Sequence, residues 1–431
     1  MVKNMPKKYY TRIIENELDQ MLGIFGAVLI EGPKWCGKTW TSLKNSKSAV
    51  FMDDDSIRKM AELDVKSVFN NDIEKKPELI DEWNLVPTIW DAVRRECDKT
   101  TEKGNFIITG STTLPDKVMK EKVHHSGAGR IGRLNMYTMS LYESGDSTGE
   151  ISITDMIEHK EIGTYTPKKD LISIAKLIIR GGWPENISIS DEDISIIPKE
   201  YIESIIKKDI HERKDKKRDY EKMRKLLKSL ARNESSTVGY ETIVKDIMEW
   251  ETEGELIESR KTVQDYISVL DALYLTCYEE AYSINYRSSK RVGKTSKRHL
   301  VDPSLSASLL NLTPEKLLKD LNTFGLLFEA LVERDLRIYA DYLDGKLYHF
   351  RDNSSGDEVD AIMEFKDGEY AAIEIKLGYN KIEDAKTSLK KFYDKVERKP
   401  IFMCIILGEC SAIIKDKETG IYILPITALK P

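Results

Sequence analysis

Three groups of residues in this chain have the types and spacing to do chemistry. Gly32-Pro33-Lys34-Trp35-Cys36-Gly37-Lys38-Thr39, with Trp40 behind it, carries the spacing G-x-x-x-x-G-K-[ST]. The glycines let the backbone curl until its N–H groups face phosphate oxygens. Lys38 then reaches the β- and γ-phosphates, and the Thr39 hydroxyl sits on Mg²⁺. In the second group, Asp81-Glu82 closes the apolar run Leu79-Ile80. Two acids at that position suit nucleotide hydrolysis, Asp81 supporting Mg²⁺ and Glu82 polarising the attacking water. The third is Asp360, followed fourteen residues later by Glu374-Ile375-Lys376. Two carboxylates that hold a metal beside a lysine that orients water suit phosphodiester cleavage.

The elements needed to position the first two groups are legible. Residues 27–31 are an apolar strand leading into the glycine loop, and a helix is expected behind it. The loop with a strand before it points to ATP and Mg²⁺ as ligands. Residues 49–54 and 77–83 are two further strands ending in acids; 85–98 has helical spacing, and 105–111 is a strand closing in Thr109-Gly110-Ser111. Strands alternating with helices predict a parallel sheet whose strand C-termini share one crevice, with Thr109 or Ser111 placed to sense a γ-phosphate. Arg130 and Arg133 in a glycine-rich loop are candidates for neutralising transition-state charge, in cis or in the site of a neighbouring copy. His124-His125 has no partner at metal spacing, and Cys36 reads as a small loop residue.

Further along, 171–180 is amphipathic and stops at Gly181-Gly182-Trp183-Pro184, and 201–230 reads as a long charged helix. Within it, His211 to Arg218 mixes both signs and reads as a solvated face. Helices at 226–232, 240–250 and 260–273 precede strands at 273–278 and 299–301. Between those strands, residues 287–298 hold six cations and no anion. Three helices and a hairpin with a basic tip predict a winged helix-turn-helix, with Ser259-Arg260-Lys261-Thr262 opening the recognition helix and the tip on DNA phosphates. Then a helix at 325–333 carries Glu329, and strands follow at 347–351, 358–362 and 370–376. In the last strand Glu374 and Lys376 share a face, and Asp360 meets them across a hairpin pair. This grouping resembles the signature of the PD-(D/E)XK nuclease core, and Glu329 matches the position from which many such cores add a further metal-binding carboxylate.

Composition sets outer bounds. A chain of 431 residues with 40% hydrophobic content is long enough for two to four domains, and a net charge of −6 provides no whole-chain basic field for nucleic acid. The five cysteines form no C-x-x-C pair, which fits a reducing cytoplasm and no zinc–thiolate site. The sequence has no secretory h-region and no apolar window of about eighteen residues, so no membrane partner is expected.

With these motifs in order, the chain resembles the prokaryotic AAA-like P-loop ATPases that carry a C-terminal module with a restriction-endonuclease-like core. The matching residues are Tyr10-x-Arg12, Gly32 to Thr39, Leu79 to Glu82, Ile108 to Ser111, Gly129-Arg130, Arg180 to Glu185 and Asp302 to Leu305. The resemblance implies an α/β chain with an AAA-like ATPase domain over 1–165 and a helical lid, containing 171–180, over 166–220. A winged helix over 221–310 and a nuclease-like domain over 311–431 follow. The expected function is Mg²⁺-dependent ATP hydrolysis coupled to DNA. Two alternatives stand beside it: a nucleotide-gated DNA-binding switch without cleavage, and an ATP-regulated, metal-dependent DNA endonuclease. A homo-oligomer in which an arginine completes a neighbour's site, and a monomer with a cis arginine, both remain open.

Overall fold

The structure, a computed structural model, describes residues 8–114, 116–209, 220–248, 256–283, 295–352 and 355–431. The charged run 211–218 and the basic tip at 287–294, with Arg291 and Lys294, lie outside the described residues.

The chain divides into two compact units, Met1–Thr138 with Leu270–Leu275, and Met139–Val269 with Thr276–Pro431. In the first, β1 (Ala27–Glu31), β2 (Ser48–Phe51), β3 (Glu78–Asp81), β4 (Phe106–Gly110) and β5 (Ile131–Asn135) form a parallel sheet. The order is β2-β3-β4-β1-β5. Buried apolar strands β1, β3 and β4 are covered on both faces, as a parallel sheet requires. Because β4 lies between β1 and β3, the loop after β1 and the acids after β3 face each other across the end of β4.

The second unit contains a nine-stranded mixed sheet. It comprises β7 (Gly163–Tyr165), β8 (Thr276–Ala281), β9 (Lys297–Leu300), β10 (Lys346–Arg351), β11 (Glu358–Glu364), β12 (Tyr370–Lys376), β13 (Phe402–Leu407), β14 (Ala412–Lys415) and β15 (Tyr422–Pro425). Their order is β7-β14-β15-β13-β12-β11-β10-β8-β9. A separate pair joins β6 (Ile151–Ser152) to β16 (Leu429–Lys430). The long helix Leu321–Tyr342 packs on β10 to β12, its inner face almost wholly buried.

These units differ from the boundaries read at 165 and 310. Residues 139–165 send β6 and β7 to strands near the C-terminus, and the β8–β9 hairpin joins the C-terminal sheet through β10, pairing Tyr348 with Glu280 and His349 with Ala281. Pairing between segments so far apart in the chain leaves no local sequence signal. The three helices before the hairpin are Tyr220–Arg232, Tyr240–Met248 and Leu256–Ala272. Two of the six cations assigned to the basic tip turn inward. Lys297 and Arg298 are both buried on β9, Lys297 toward the Leu321–Tyr342 helix and Arg298 against the rings of Tyr240 and Tyr278. Strand alternation sends these neighbours to opposite faces, and each finds a partner there.

Candidate functional site

The loop after β1 is shaped by backbone conformations that glycine supplies. Gly37 has φ 105°, and Gly32 has φ 154°, with a Cβ there falling 2.1 Å from the Met136 carbonyl oxygen. Arg12, one residue of the Tyr10-x-Arg12 motif, is buried beneath the loop. Its guanidinium donates to the carbonyls of Cys36 at 2.6 Å and Tyr137 at 2.9 Å. Lys38 folds back to donate to the Gly32 and Pro33 carbonyls, at 2.8 and 2.7 Å. Trp35 is exposed, Lys34 and Trp40 are partly exposed, and Pro33 and Cys36 are buried.

Opposite the loop, the acids are held by hydroxyls. The Thr39 Oγ1 donates to Asp81 Oδ1 at 3.0 Å, and Thr109 donates to the same oxygen at 2.6 Å. Ser111 donates to the Glu82 carboxylate at 2.9 Å. Glu82 has φ 56° in the left-handed region, a conformation uncommon for a residue with a side chain. Burial pushes its carboxyl above the ordinary glutamate range despite the opposing pull of Lys38 and Ser111. Thr109 and Ser111 therefore hold the two acids, a role that the strand-end pattern alone did not separate from phosphate sensing. The donor set fits a magnesium nucleotide: an ammonium and backbone N–H groups for phosphate, and a hydroxyl beside a carboxylate for the metal.

Arg130 is expected to act either in cis or in the site of a neighbouring copy. β1 and β5 run parallel with Ala27 beside Ile131, so Arg130 lies at the N-terminal edge of the sheet and Gly32 at the C-terminal edge. Its exposed guanidinium pairs with Asp98 at 2.8 Å. Arg133 pairs with Glu31 at 3.2 Å, and the Tyr274 hydroxyl donates to the other oxygen of Glu31 at 2.6 Å.

In the second unit Asp360, Glu374 and Lys376 come together. Lys376 Nζ lies 2.7 Å from Asp360 Oδ2 and 2.6 Å from Glu374 Oε2, and the Ile375 amide donates to Asp360 at 2.7 Å. Burial and Asp360 push the Glu374 carboxyl up to about 8, against Lys376 and Ser388. Lys376 is raised above the usual lysine range, because the two carboxylates outweigh its burial. Glu329 reaches this group through Lys297, which donates to Glu329 Oε1 at 2.6 Å and to the Asp360 carbonyl at 3.0 Å. Lys297, Glu329, His349, Arg351 and Asp360 line a cavity of about 310 Å³. Nothing in the sequence marks Lys297 as its centre, since it reads as one more cation of the tip.

Two motifs that are distant in the chain also meet in this unit. The Gly182 amide donates to Asp302 at 2.9 Å, and the Trp183 indole donates to Ser304 at 3.0 Å. All five cysteines are free thiols and buried. Among the described residues, no helix is long and apolar enough to cross a membrane.

Residues 25–145 match the family model described as an AAA domain. Residues 172–316 and 324–429 match two more, each described as a domain of unknown function, DUF8612 and DUF4143. No curated protein matches the chain. Among solved structures, the Walker-type ATPase PABY2304 of Pyrococcus abyssi aligns with 11% identity and a TM-score of 0.36, over 71% of this chain and 99% of that one. The ORC2 protein of Aeropyrum pernix, solved as ADPNP–ADP complexes, aligns with 13% identity and a TM-score of 0.32, over 73% of this chain and 91% of that one. Overlaps this low carry no weight for either fold or activity. The AAA match and the loop with its facing acids make residues 25–145 a P-loop, AAA-like ATPase domain in an α/β chain.

Proposed function

We propose that the first unit hydrolyses ATP with Mg²⁺ and that this cycle acts on DNA through the second unit. The observation that carries the hydrolysis is the pairing of Thr39 with Asp81 while Glu82 stands beside it, held by Ser111. Lys38 binds phosphate, Thr39 and Asp81 hold the metal, and Glu82 takes the role of base. Mg²⁺ would supply charge neutralisation on the phosphates. Burial raises the Glu82 carboxyl above its ordinary value, which makes it a stronger base than a solvated glutamate. The test is ATPase turnover with nucleotide affinity measured alongside. Glu82→Gln lowers kcat by about 10²- to 10⁴-fold with ATP binding retained, whereas Lys38→Ala loses binding. Unchanged turnover in Glu82→Gln overturns the assignment of the base.

A second reading concerns Asp360, Glu374 and Lys376, the arrangement of a PD-(D/E)XK nuclease core, with Glu329 nearby. The close approach of Lys376 to both carboxylates favours it. A divalent metal here would be held by Asp360 and Glu374. In this reading DNA is the partner, bound by the winged-helix segment and cut at this cluster or merely gripped as a nucleotide-gated switch. Linear, circular and single-stranded DNA incubated with Mg²⁺ or Mn²⁺, with and without ATP, separates the two. Cleavage by the parent that Asp360→Ala abolishes supports an ATP-regulated endonuclease, and intact DNA in every arm leaves the switch. Arg130, exposed and remote from its own loop, fits an arginine that completes the site of a neighbouring copy in a cytoplasmic homo-oligomer.

A further inference from the structure

A second polar cluster lies behind the cavity and belongs to neither site above. β8 supplies Glu279, β9 supplies His299, and the Leu321–Tyr342 helix supplies Glu333, all buried. The residues are neighbours for topological reasons. Lys297 and His299 share one face of β9, Glu279 stands opposite Lys297 in the antiparallel register, and Glu333 lies one helical turn after Glu329.

The His299 imidazole is 3% exposed, and its Nε2 has no hydrogen-bond partner. Its Nε2 points between two carboxylates, 3.6 Å from Glu279 and 3.5 Å from Glu333. Those separations are too long for an N–H···O bond, which ends near 3.2 Å. They do match the edge of a tetrahedron around an ion with bonds of about 2.0–2.2 Å, which is about 3.3–3.6 Å. On the other side of the ring, Nδ1 lies 3.2 Å from Glu234. A carboxylate behind a histidine is how metal sites fix the tautomer and aim the free nitrogen at the ion. Charge points the same way. Glu234, Glu279 and Glu333 bring three buried carboxylates and Glu329 a fourth that is partly exposed, against the fixed cations Lys297 and Arg337. That excess of carboxylates over fixed cations favours a further cation among them.

We propose that Glu279, His299 and Glu333 bind a divalent transition-metal ion of the Zn²⁺ class, with Glu234 orienting the imidazole from behind. The ion ties the β8–β9 hairpin to the Leu321–Tyr342 helix. Its ligands belong neither to the nucleotide loop nor to the Asp360 cluster, to which Glu333 is linked through Lys297, so it stands whether or not those sites act as proposed.

The test is equilibrium dialysis of the full chain, stripped with EDTA and then offered Zn²⁺, with zinc counted per chain. In the Asp360→Ala background, which breaks the other metal-binding cluster, a single Zn²⁺ is retained, Glu234→Gln binds it about 10- to 100-fold more weakly, and His299→Gln loses it. Because His299→Gln could misfold, zinc-edge X-ray absorption of the parent decides independently. A shell of nitrogen and oxygen with imidazole scattering supports the site, whereas sulfur at about 2.3 Å would assign the ion to cysteine instead. Failure of the parent to hold zinc, loss of zinc in Asp360→Ala, or a sulfur shell each overturns the proposal. Zinc retained by a folded His299→Gln does so too.

Discussion

At the scale of single residues, the acids of both sites take their properties from the groups beside them. Asp81 is held between Thr39 and Thr109, and Glu82 is held by Ser111, so two hydroxyls on or just after β4 aim the acids that follow β3. Glu374 shows the same dependence through its protonation. Its carboxyl, ordinarily at 4.5, is pushed up to about 8 by burial and by Asp360. A carboxyl whose folded pKa is raised takes up a proton on folding. Its stabilising contribution is whole below the unfolded value and is lost as pH rises through the folded one. Here that window runs from 4.5 to about 8. Glu374→Gln should therefore gain in urea midpoint relative to the parent as pH rises across the window. A mutant-minus-parent difference that stays flat would refute the assignment.

At the scale of elements, close backbone approach sets what each loop tolerates. Gly182 follows the Leu171–Arg180 helix, and a Cβ on it would fall 2.1 Å from the Met139 carbonyl oxygen, a backbone atom that has no rotamer to move. Its amide is also committed to Asp302. Gly182→Ala should lower stability by about 1–3 kcal/mol or more, as an overpacked site does, measured as the shift in urea midpoint at constant slope. Parent-like stability would mean that the 139–182 contact yields easily. The run Arg180 to Glu185 is legible as a helix stop, because Gly-Gly-x-Pro cannot continue a helix. That it docks against Asp302 and Ser304 is not legible, since neither end of that contact has an unusual local pattern.

At the scale of the whole chain, the second unit is one sheet assembled from distant segments. The C-terminal segment lacks its neighbours when cut at 310. Without β8 and β9, Glu329 and Glu333 lose Lys297, and Arg337 loses Glu279. Leaving buried charges unpaired costs about 3–5 kcal/mol for each broken pair. A fragment of residues 311–431 is expected to show no cooperative urea transition, whereas residues 139–431 retain one. A cooperative transition in the shorter fragment would show that β8 and β9 are accessory to this sheet.

The strand before the phosphate loop, the loop itself, the acids after β3 and the Asp360–Glu374–Lys376 grouping are all readable from the sequence by itself. Each is a local arrangement, fixed by glycine conformation, by apolar runs or by alternation along one strand or hairpin. Tertiary structure alone decided the remote relations. It turned Lys297 and Arg298 inward, carried Arg130 to the far edge of its sheet, and gathered Glu279, His299 and Glu333 around one buried point. Those outcomes depend on strand order and helix docking between segments tens to hundreds of residues apart. Buried charges such as Lys297 must find their partners there, and no short stretch of sequence encodes the partner.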